Sequence, residues 1–286
     1  MRYEAPETSE AAADLLAKFK GEARILAGGT DLLVQMKTDM VTPELIVDIK
    51  GIKETRTIVE KDGAFTIGAA VSGAELKEHP TLSKIWPGIV EGANLIGSTQ
   101  VQGRASLGGN LCNASPAADS VPTLIAAGAT VVIAGPNGRR EAPVADVAVK
   151  PRTTSLAKGE FVVAFKLPKK APHTGDAYLR FIPRTEMDIA VVGCGVVLTL
   201  DGKGVCTAAR VSLGAVAERC LLVPEAGAAL VGSKLDKAAL DKLEAAARAA
   251  CRPIDDKRGT KEFRIDIAGV LARRTALIAL ERASKA

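Results

Sequence analysis

The stretch from Ser106 to Pro122 reads Ser-Leu-Gly-Gly-Asn-Leu-Cys-Asn-Ala-Ser-Pro-Ala-Ala-Asp-Ser-Val-Pro. Gly108 and Gly109 permit backbone conformations closed to other residues and let a ligand approach the main chain closely. Asn110, Asn113, Ser115, Asp119 and Ser120 follow at once, with hydrogen-bond donors and acceptors of both kinds. Asp119 and Ser120 can also cap a helix beginning at Val121, where Pro122 suits the first turn. A glycine turn, then amides and a carboxylate, then a helix start suits an uncharged polar or phosphorylated ligand. These residue types are also ordinary loop residues, so an irregular connection without a ligand stays open at this point.

A second glycine pair stands near the N-terminus, in Ala27-Gly28-Gly29-Thr30-Asp31-Leu32-Leu33. It reads as a strand end, a double-glycine turn and a new helix. The free amides of such a helix start favour an anionic group such as a diphosphate. The spacing is neither that of a Walker loop nor of a full Rossmann fingerprint, and a plain strand-to-helix turn is the alternative.

Other chemistries find little support. The five cysteines, Cys112, Cys194, Cys206, Cys220 and Cys251, are scattered and never spaced as a Cys-x-x-Cys pair. Disulfides, an iron–sulfur cluster and a zinc site of common spacing are therefore not expected, and the usage suits a reducing compartment. His79 and His173 lie far apart beside prolines, which offers nothing to a Ser-His-Asp triad or a metal hydrolase. We assign no catalytic acid–base residues and no metal ligands.

The elements that must position the two glycine turns can be read from periodicity. Thr8 or Ser9 caps a helix through Lys20, and strands are expected at 24–26 and 45–49. A hairpin around Asp62-Gly63 joins 55–60 to 64–69. Ser72 starts a short helix, and 82–93 form a longer one interrupted by Pro87. Strands at 130–134 and 160–167 follow. The run from Lys169 to Gly175, with two prolines, a glycine and two lysines, reads as a domain boundary. Beyond it come strands at 178–182, 189–200 and 205–215, then helices at 223–231, 237–250 and 260–283. That is an antiparallel sheet with helices on one face.

Composition sets the frame. The 286 residues suggest two domains or one large one. Apolar residues make up 47% and charged residues 25%, as in soluble globular proteins. The net charge of +5 comes from interspersed charges, with no basic run carrying interleaved aromatics, so nucleic acid is not an expected partner. No apolar run reaches the roughly 20 residues of a membrane span, and the acidic, proline-bearing N-terminus is not a secretory signal. A cytoplasmic location is expected.

Taken together, the two glycine motifs carry a specific resemblance. Ala27-Gly28-Gly29-Thr30-Asp31-Leu32-Leu33, followed by Val47-Asp48-Ile49, resembles the first flavin motif of the FAD-binding subunits of molybdenum hydroxylases, the xanthine dehydrogenase and aerobic carbon monoxide dehydrogenase family. Gln100 to Asn110, continuing through Ser115, Pro116 and Asp119, resembles the second motif. Arg184-Thr185-Glu186-Met187-Asp188-Ile189-Ala190, Ser212 to Ala217, Glu262-Phe263-Arg264 and Arg273-Arg274 resemble later landmarks, in the right order over nearly the whole chain.

The resemblance implies an α+β fold. Its FAD-binding domain, at 1–170, would be of the vanillyl-alcohol oxidase (PCMH) type, with subdomains at about 1–51 and 52–170. A smaller domain of antiparallel sheet and helix cluster would follow at 171–286. It implies one non-covalent FAD, held by Leu26, Ala27, Gly28, Gly29, Thr30, Asp31 and Leu32 from one side. Ala105, Ser106, Leu107, Gly108, Gly109 and Asn110 would hold it from the other, with Asn113 and Asp119 reaching the diphosphate, ribityl or flavin end. Arg180 and Asp188 join the flavin site through the resemblance alone; Arg180 stands where eukaryotic xanthine dehydrogenases are similar to it with a lysine near the flavin. The implied partners are a small subunit with [2Fe-2S] clusters and a large subunit with the molybdenum cofactor, assembled as a dimer of heterotrimers. Electrons would pass from the clusters through FAD to an external acceptor. The alternative is a standalone FAD-dependent oxidase or reductase of the vanillyl-alcohol oxidase type, for which the C-terminal domain is small.

Overall fold

Three hydrophobic cores organise the chain, and each has a sheet behind it. The computed structural model describes residues 1–286. The first sheet holds β1 (Arg2–Glu4), β2 (Ala23–Leu26) and β3 (Leu45–Asp48), in the order β1-β3-β2 and parallel throughout. Helix α1 (Ser9–Lys18) connects the first two and is capped by Thr8, whose side chain accepts from the Ala11 amide. The short α2 (Leu32–Lys37) lies between β2 and β3. All four residues of β3 are buried, as expected of a central parallel strand.

The second sheet is antiparallel, in the order β4-β5-β10-β6-β7. Its strands are β4 (Ile58–Lys61), β5 (Ala64–Gly68), β6 (Thr130–Gly135), β7 (Gly138–Pro143) and β10 (Phe161–Leu167), with a small β8–β9 hairpin (Ala148–Lys150, Thr153–Thr154) between β7 and β10. Asp62 and Gly63, both at positive φ, turn β4 into β5. Six helices separate β5 from β6: α3 (Gly73–Glu78), α4 (Leu82–Ile85), α5 (Pro87–Ala93), α6 (Thr99–Gln102), α7 (Leu107–Cys112) and α8 (Ser120–Ala126). Ser72 and Glu75 close a complete capping box on α3, and Pro87 starts α5 at the point where α4 stops.

The central strand β10 is buried on both faces. Phe161 and Val163 pack with Leu45, Val47 and Ala12 of the first layer, while Phe165 and Leu167 pack with Trp86, Leu107 and Leu124 of the helical layer. A bulge between Val162 and Ala164 shifts the register between the two sets.

The third sheet is an antiparallel meander of β11 (Thr174–Phe181), β12 (Val192–Leu200), β13 (Cys206–Gly214) and β14 (Leu221–Leu222). Helices α9 (Pro224–Ala228), α10 (Lys237–Ala250) and α11 (Lys261–Lys285) follow. The alternation of β12 separates its faces. Val192, Cys194, Val196 and Leu198 meet the alanines of α11, among them Ala268, Ala272 and Ala276. Gly195 faces α8, where a Cβ would stand 2.8 Å from Pro122 O. Gly88 of α5 approaches β11 as closely: its amide donates to Asp176 Oδ2 at 2.6 Å, and a Cβ would stand 2.9 Å from the Ala177 amide nitrogen. Lys170, in the run between the second and third sheets, donates to Asp176 Oδ1 and to Ile85 O and lies over the Trp86 ring.

Several elements differ from the sequence reading. β11 begins at Thr174, four residues before the expected strand, so the connecting run is shorter than Lys169–Gly175. β12 starts at Val192, and residues 182–191 form a loop instead. Residues 107–112, read as a glycine turn, are a helix capped by Ser106. Asp119 does not cap α8 with its side chain, because that carboxylate is engaged elsewhere.

Candidate cofactor-binding site

The first glycine turn is held from below. Lys50 Nζ donates to Ala27 O at 3.2 Å and to both oxygens of Asp48 at 2.8 Å, and Tyr3 donates its hydroxyl to Asp48. Burial raises the Asp48 carboxyl pKa, but the hydrogen bonds from Lys50 and Tyr3 outweigh it and hold it below the usual carboxylate range. Gly29 sits at φ +77, a conformation that favours glycine. The turn breaks the hydrogen-bond pattern of β2 before α2 begins. As a result the backbone N–H groups of Gly28, Gly29, Thr30, Asp31 and Leu32 donate to no acceptor within the chain. Five consecutive donors along one wall are thus left available to an anionic group.

The second glycine motif is pinned just as tightly. The Gly73 amide donates to Ala105 O at 2.9 Å, and the Gly108 amide donates to Ala69 O at 3.0 Å. Ser106 Oγ accepts from the Gly109 amide and caps α7. Asn110 Oδ1 accepts from both the amide and the hydroxyl of Ser120, fixing α7 to the start of α8. Gly28 meets this wall directly: a Cβ there would lie 2.0 Å from Arg104 O. At Gly109 a Cβ would meet only Ser106 Oγ, at 3.4 Å. The two motifs, 80 residues apart between Gly28 and Gly108, are thus in backbone contact.

Between them lies a cleft of about 360 Å³, bounded by the first and second sheets. Ala27, Gly28, Gly29, Thr30, Asp31 and Leu32 line one side. Ala105, Ser106, Gly108, Gly109, Asn110 and Asn113 line the other. Half of its 26 lining residues are hydrophobic, which suits a flat organic ring system beside an anionic segment. Residues that sequence reading did not single out complete it: Arg24 and Ile25 on edge strand β2, Gln35, Ile96, Leu156 and Glu160. Glu160 takes a bidentate pair from Arg140 Nε and Nη2, both at 2.7 Å, and this keeps its pKa low. No sequence motif marks these positions; the edge position of β2 brings Arg24 and Ile25 to the cleft, and Glu160 reaches it just before β10, which pairs with β6.

Five of the singled-out residues do not line this cleft. Leu26 is the last residue of β2, its carbonyl accepting from the Ile49 amide. Leu107 is fully buried in the helical core. Asp119 and Arg180 form a buried ion pair at 2.7 Å, with side chains 9% and 6% exposed. Tyr178 donates its hydroxyl to Asp119 Oδ1 at 2.8 Å, and Arg180 also donates to Leu95 O. Burial pushes the Asp119 carboxyl up to about 6 against the opposing pull of Arg180 and Tyr178. Asp188 sits in the 182–191 loop, paired with Arg258 at 2.9 Å and Arg184 at 3.3 Å. The pair Asp119–Arg180 lies one layer behind the cleft, since Asp119 leads into Ser120, which holds Asn110.

The site has strong donors for an anion and apolar walls, and it contains no nucleophile–base pair. Cys112 lines it, but burial pushes its thiol up to about 12, so the thiolate is absent at neutral pH. No group of three or more His, Cys, Asp or Glu side chains is placed to hold a metal ion. No helix is long and apolar enough to cross a membrane.

Residues 1–170 match the family model described as the FAD binding domain in molybdopterin dehydrogenase, and residues 177–279 match the CO dehydrogenase flavoprotein C-terminal domain. The carbon monoxide dehydrogenase medium chain of Afipia carboxidovorans is 36% identical over 282 residues, covering 98% of this chain and 96% of that one. The xanthine dehydrogenase FAD-binding subunit of Escherichia coli O157:H7 is 29% identical over 274 residues, covering 95% and 93%. Among solved structures, reconstituted CO dehydrogenase from Oligotropha carboxidovorans superposes with a TM-score of 0.94 at 36% identity, covering 99% of this chain and 98% of that one. Quinoline 2-oxidoreductase from Pseudomonas putida 86 gives 0.90 at 30%, with the same coverage. With both domains of that family present in order over almost its whole length, this chain belongs to the FAD-binding medium subunits of the molybdenum hydroxylases.

Proposed function

We propose that this chain holds one non-covalent FAD in the cleft between its two glycine motifs and relays electrons within a molybdenum-dependent hydroxylase or dehydrogenase complex. The observation that supports this most directly is the row of five unpaired amides at Gly28 to Leu32, set against the second motif. A dinucleotide diphosphate matches such a cradle, because neutral amides hold an anion without needing a cation beside the flavin. The proposed contacts are Ala27–Leu32, Ala105–Ser106, Gly108–Asn110 and Asn113. Leu26 and Leu107 support them from behind, and the Asp119–Arg180 pair and Asp188 serve the flavin end. FAD, when bound, supplies the chemistry of taking up and giving out electrons singly or in pairs. The chain orients it with backbone amides and excludes water with Ile25, Ile49, Ile96, Leu156 and Phe161.

On this reading, 1–51 and 52–170 are the two subdomains of a vanillyl-alcohol oxidase (PCMH) type FAD domain, and 171–286 is the C-terminal domain. A small iron–sulfur subunit delivers electrons, a large subunit carries the molybdenum centre, and the assembly is a cytoplasmic dimer of heterotrimers. Two experiments test it. Acid precipitation of the FAD-loaded protein should release all the flavin, and colour left in the pellet would contradict the non-covalent assignment. Heterocycles, aldehydes and carbon monoxide added anaerobically to the chain alone should leave the flavin oxidised. Bleaching at the turnover rate of the native complex would instead establish a standalone oxidase.

A further inference from the structure

Helix α2 is the least anchored element beside the cleft. None of its six residues is buried, and Leu33 and Val34 are each 58% exposed. Its backbone bonds are local, from the Leu33 amide to Gly29 O and from the Gln35 amide to Asp31 O. A single side-chain hydrogen bond ties it to the rest of the fold: Gln35 Nε2 donates to Asn113 Oδ1 at 2.9 Å, across 78 residues of sequence. Gln35 and Asn113 both line the cleft, from its first and second walls respectively.

We propose that Gln35 is a positioning residue, a latch that holds α2 to the second glycine motif and slows release of the bound dinucleotide. The inference rests on the FAD reading above. The donor amides of residues 28–32 run directly into α2, so lifting the helix turns them away from the anion they hold. The Gln35–Asn113 bond must break before the two walls can part. Its strength therefore enters the barrier to release more than the contact with the cofactor. A hydrogen bond of ordinary net worth slows such a step by about 2- to 10-fold.

The test uses full-length protein. Release of FAD is followed after dilution by recovery of flavin fluorescence, for wild type, Gln35→Ala, Asn113→Ala and the double variant. Gln35→Ala should release FAD about 2- to 10-fold faster, and the double variant no faster than Asn113→Ala alone, because both changes remove one shared bond. A second measurement needs no cofactor. Exchange of the hydrogen-bonded amides of Leu33, Gln35, Thr38 and Met40 should quicken in Gln35→Ala while α10 stays unchanged. Wild-type release from Gln35→Ala, independent effects in the double variant, or unaltered exchange would each overturn the latch. A wild type that takes up no FAD would overturn the cofactor reading and the release role with it, and the exchange measurement would still decide whether Gln35 anchors α2.

Discussion

Gly28→Ala tests how the two motifs are held together. The added Cβ would stand 2.0 Å from Arg104 O, 2.7 Å from Arg104 C and 3.2 Å from Ala105 Cα. All three are backbone atoms, so no rotamer change clears the clash. Carbon atoms in comfortable contact lie at about 3.5–4.0 Å, so the walls must part by about 1 Å or more. Overpacking of this kind costs about 1–3 kcal/mol. At about 2–4 °C per kcal/mol for a chain somewhat shorter than this one, the cofactor-free protein should melt roughly 2–10 °C lower. The same displacement stretches the amide contacts to the diphosphate. Losing one hydrogen bond to a charged group costs about 1.5–3 kcal/mol, which weakens FAD binding by roughly 10- to 100-fold. Thermal unfolding and a fluorescence-quenching titration with FAD measure the two effects on one preparation. A variant with wild-type melting and wild-type affinity would refute the backbone contact between the motifs and the cleft built on it.

The other glycines should separate cofactor loss from fold loss. Gly109→Val adds methyls where only Ser106 Oγ is near, so FAD affinity should fall more than about tenfold while cofactor-free melting stays near wild type; full flavin occupancy would sink the assignment of Gly109. Gly29→Val should lose both, because φ +77 strains any branched residue by about 1–2 kcal/mol, and an unchanged melting curve would contradict that. Arg180→Met leaves Asp119 buried without its counter-charge and should cost about 3–5 kcal/mol at pH 8. Asp119 has a folded pKa raised to about 6, so its proton stabilises the fold below the unfolded value and that stabilisation is lost as pH rises through about 6. The defect should therefore shrink at pH 5, where the carboxyl takes up a proton; urea unfolding that shows equal losses at both pH values would refute the pairing.

Local signals made much of the scaffold legible in advance. The helix expected at 237–250 is found as α10, Lys237–Ala250, and Asp236 caps it in the structure. Asp62-Gly63 announces a turn and Ser72 a helix start through chemistry confined to a few residues, and the structure adds Glu75 as the other half of a capping box. The glycine motifs are legible because backbone contact admits no other residue at Gly28 or Gly108. Long-range partners are not legible in this way. Asp119 has the sequence context of a helix cap, yet Tyr178 and Arg180, about sixty residues away, take its carboxylate. Strand β1 has only three residues, too few for a periodic pattern to stand out, so its pairing with β3 leaves no local trace. Residues 107–112 contain two glycines and look like a turn, but tight packing on Ala69 and a Ser106 cap make them a helix. Gln35 is unremarkable in sequence, and its bond to Asn113 depends on how the first two sheets meet.

Gly88 and Gly195 bring α5 and α8 so close to β11 and β12 that main chain touches main chain across the join. Two halves fitted in this way cannot be treated as interchangeable modules. A fragment ending at Leu167 would expose the undersides of α5 and α8, leave the Gly88 amide without Asp176, and remove Lys170 from the face of Trp86. The half with the glycine cleft would then show water a broad apolar surface and favour aggregation over a clean fold. Grafting the first 170 residues onto another protein's third sheet would need glycine, or something equally slight, at both contact points. The flavin-binding half therefore carries in its helices an imprint of one particular sheet, and the two have to be inherited, or engineered, as a pair.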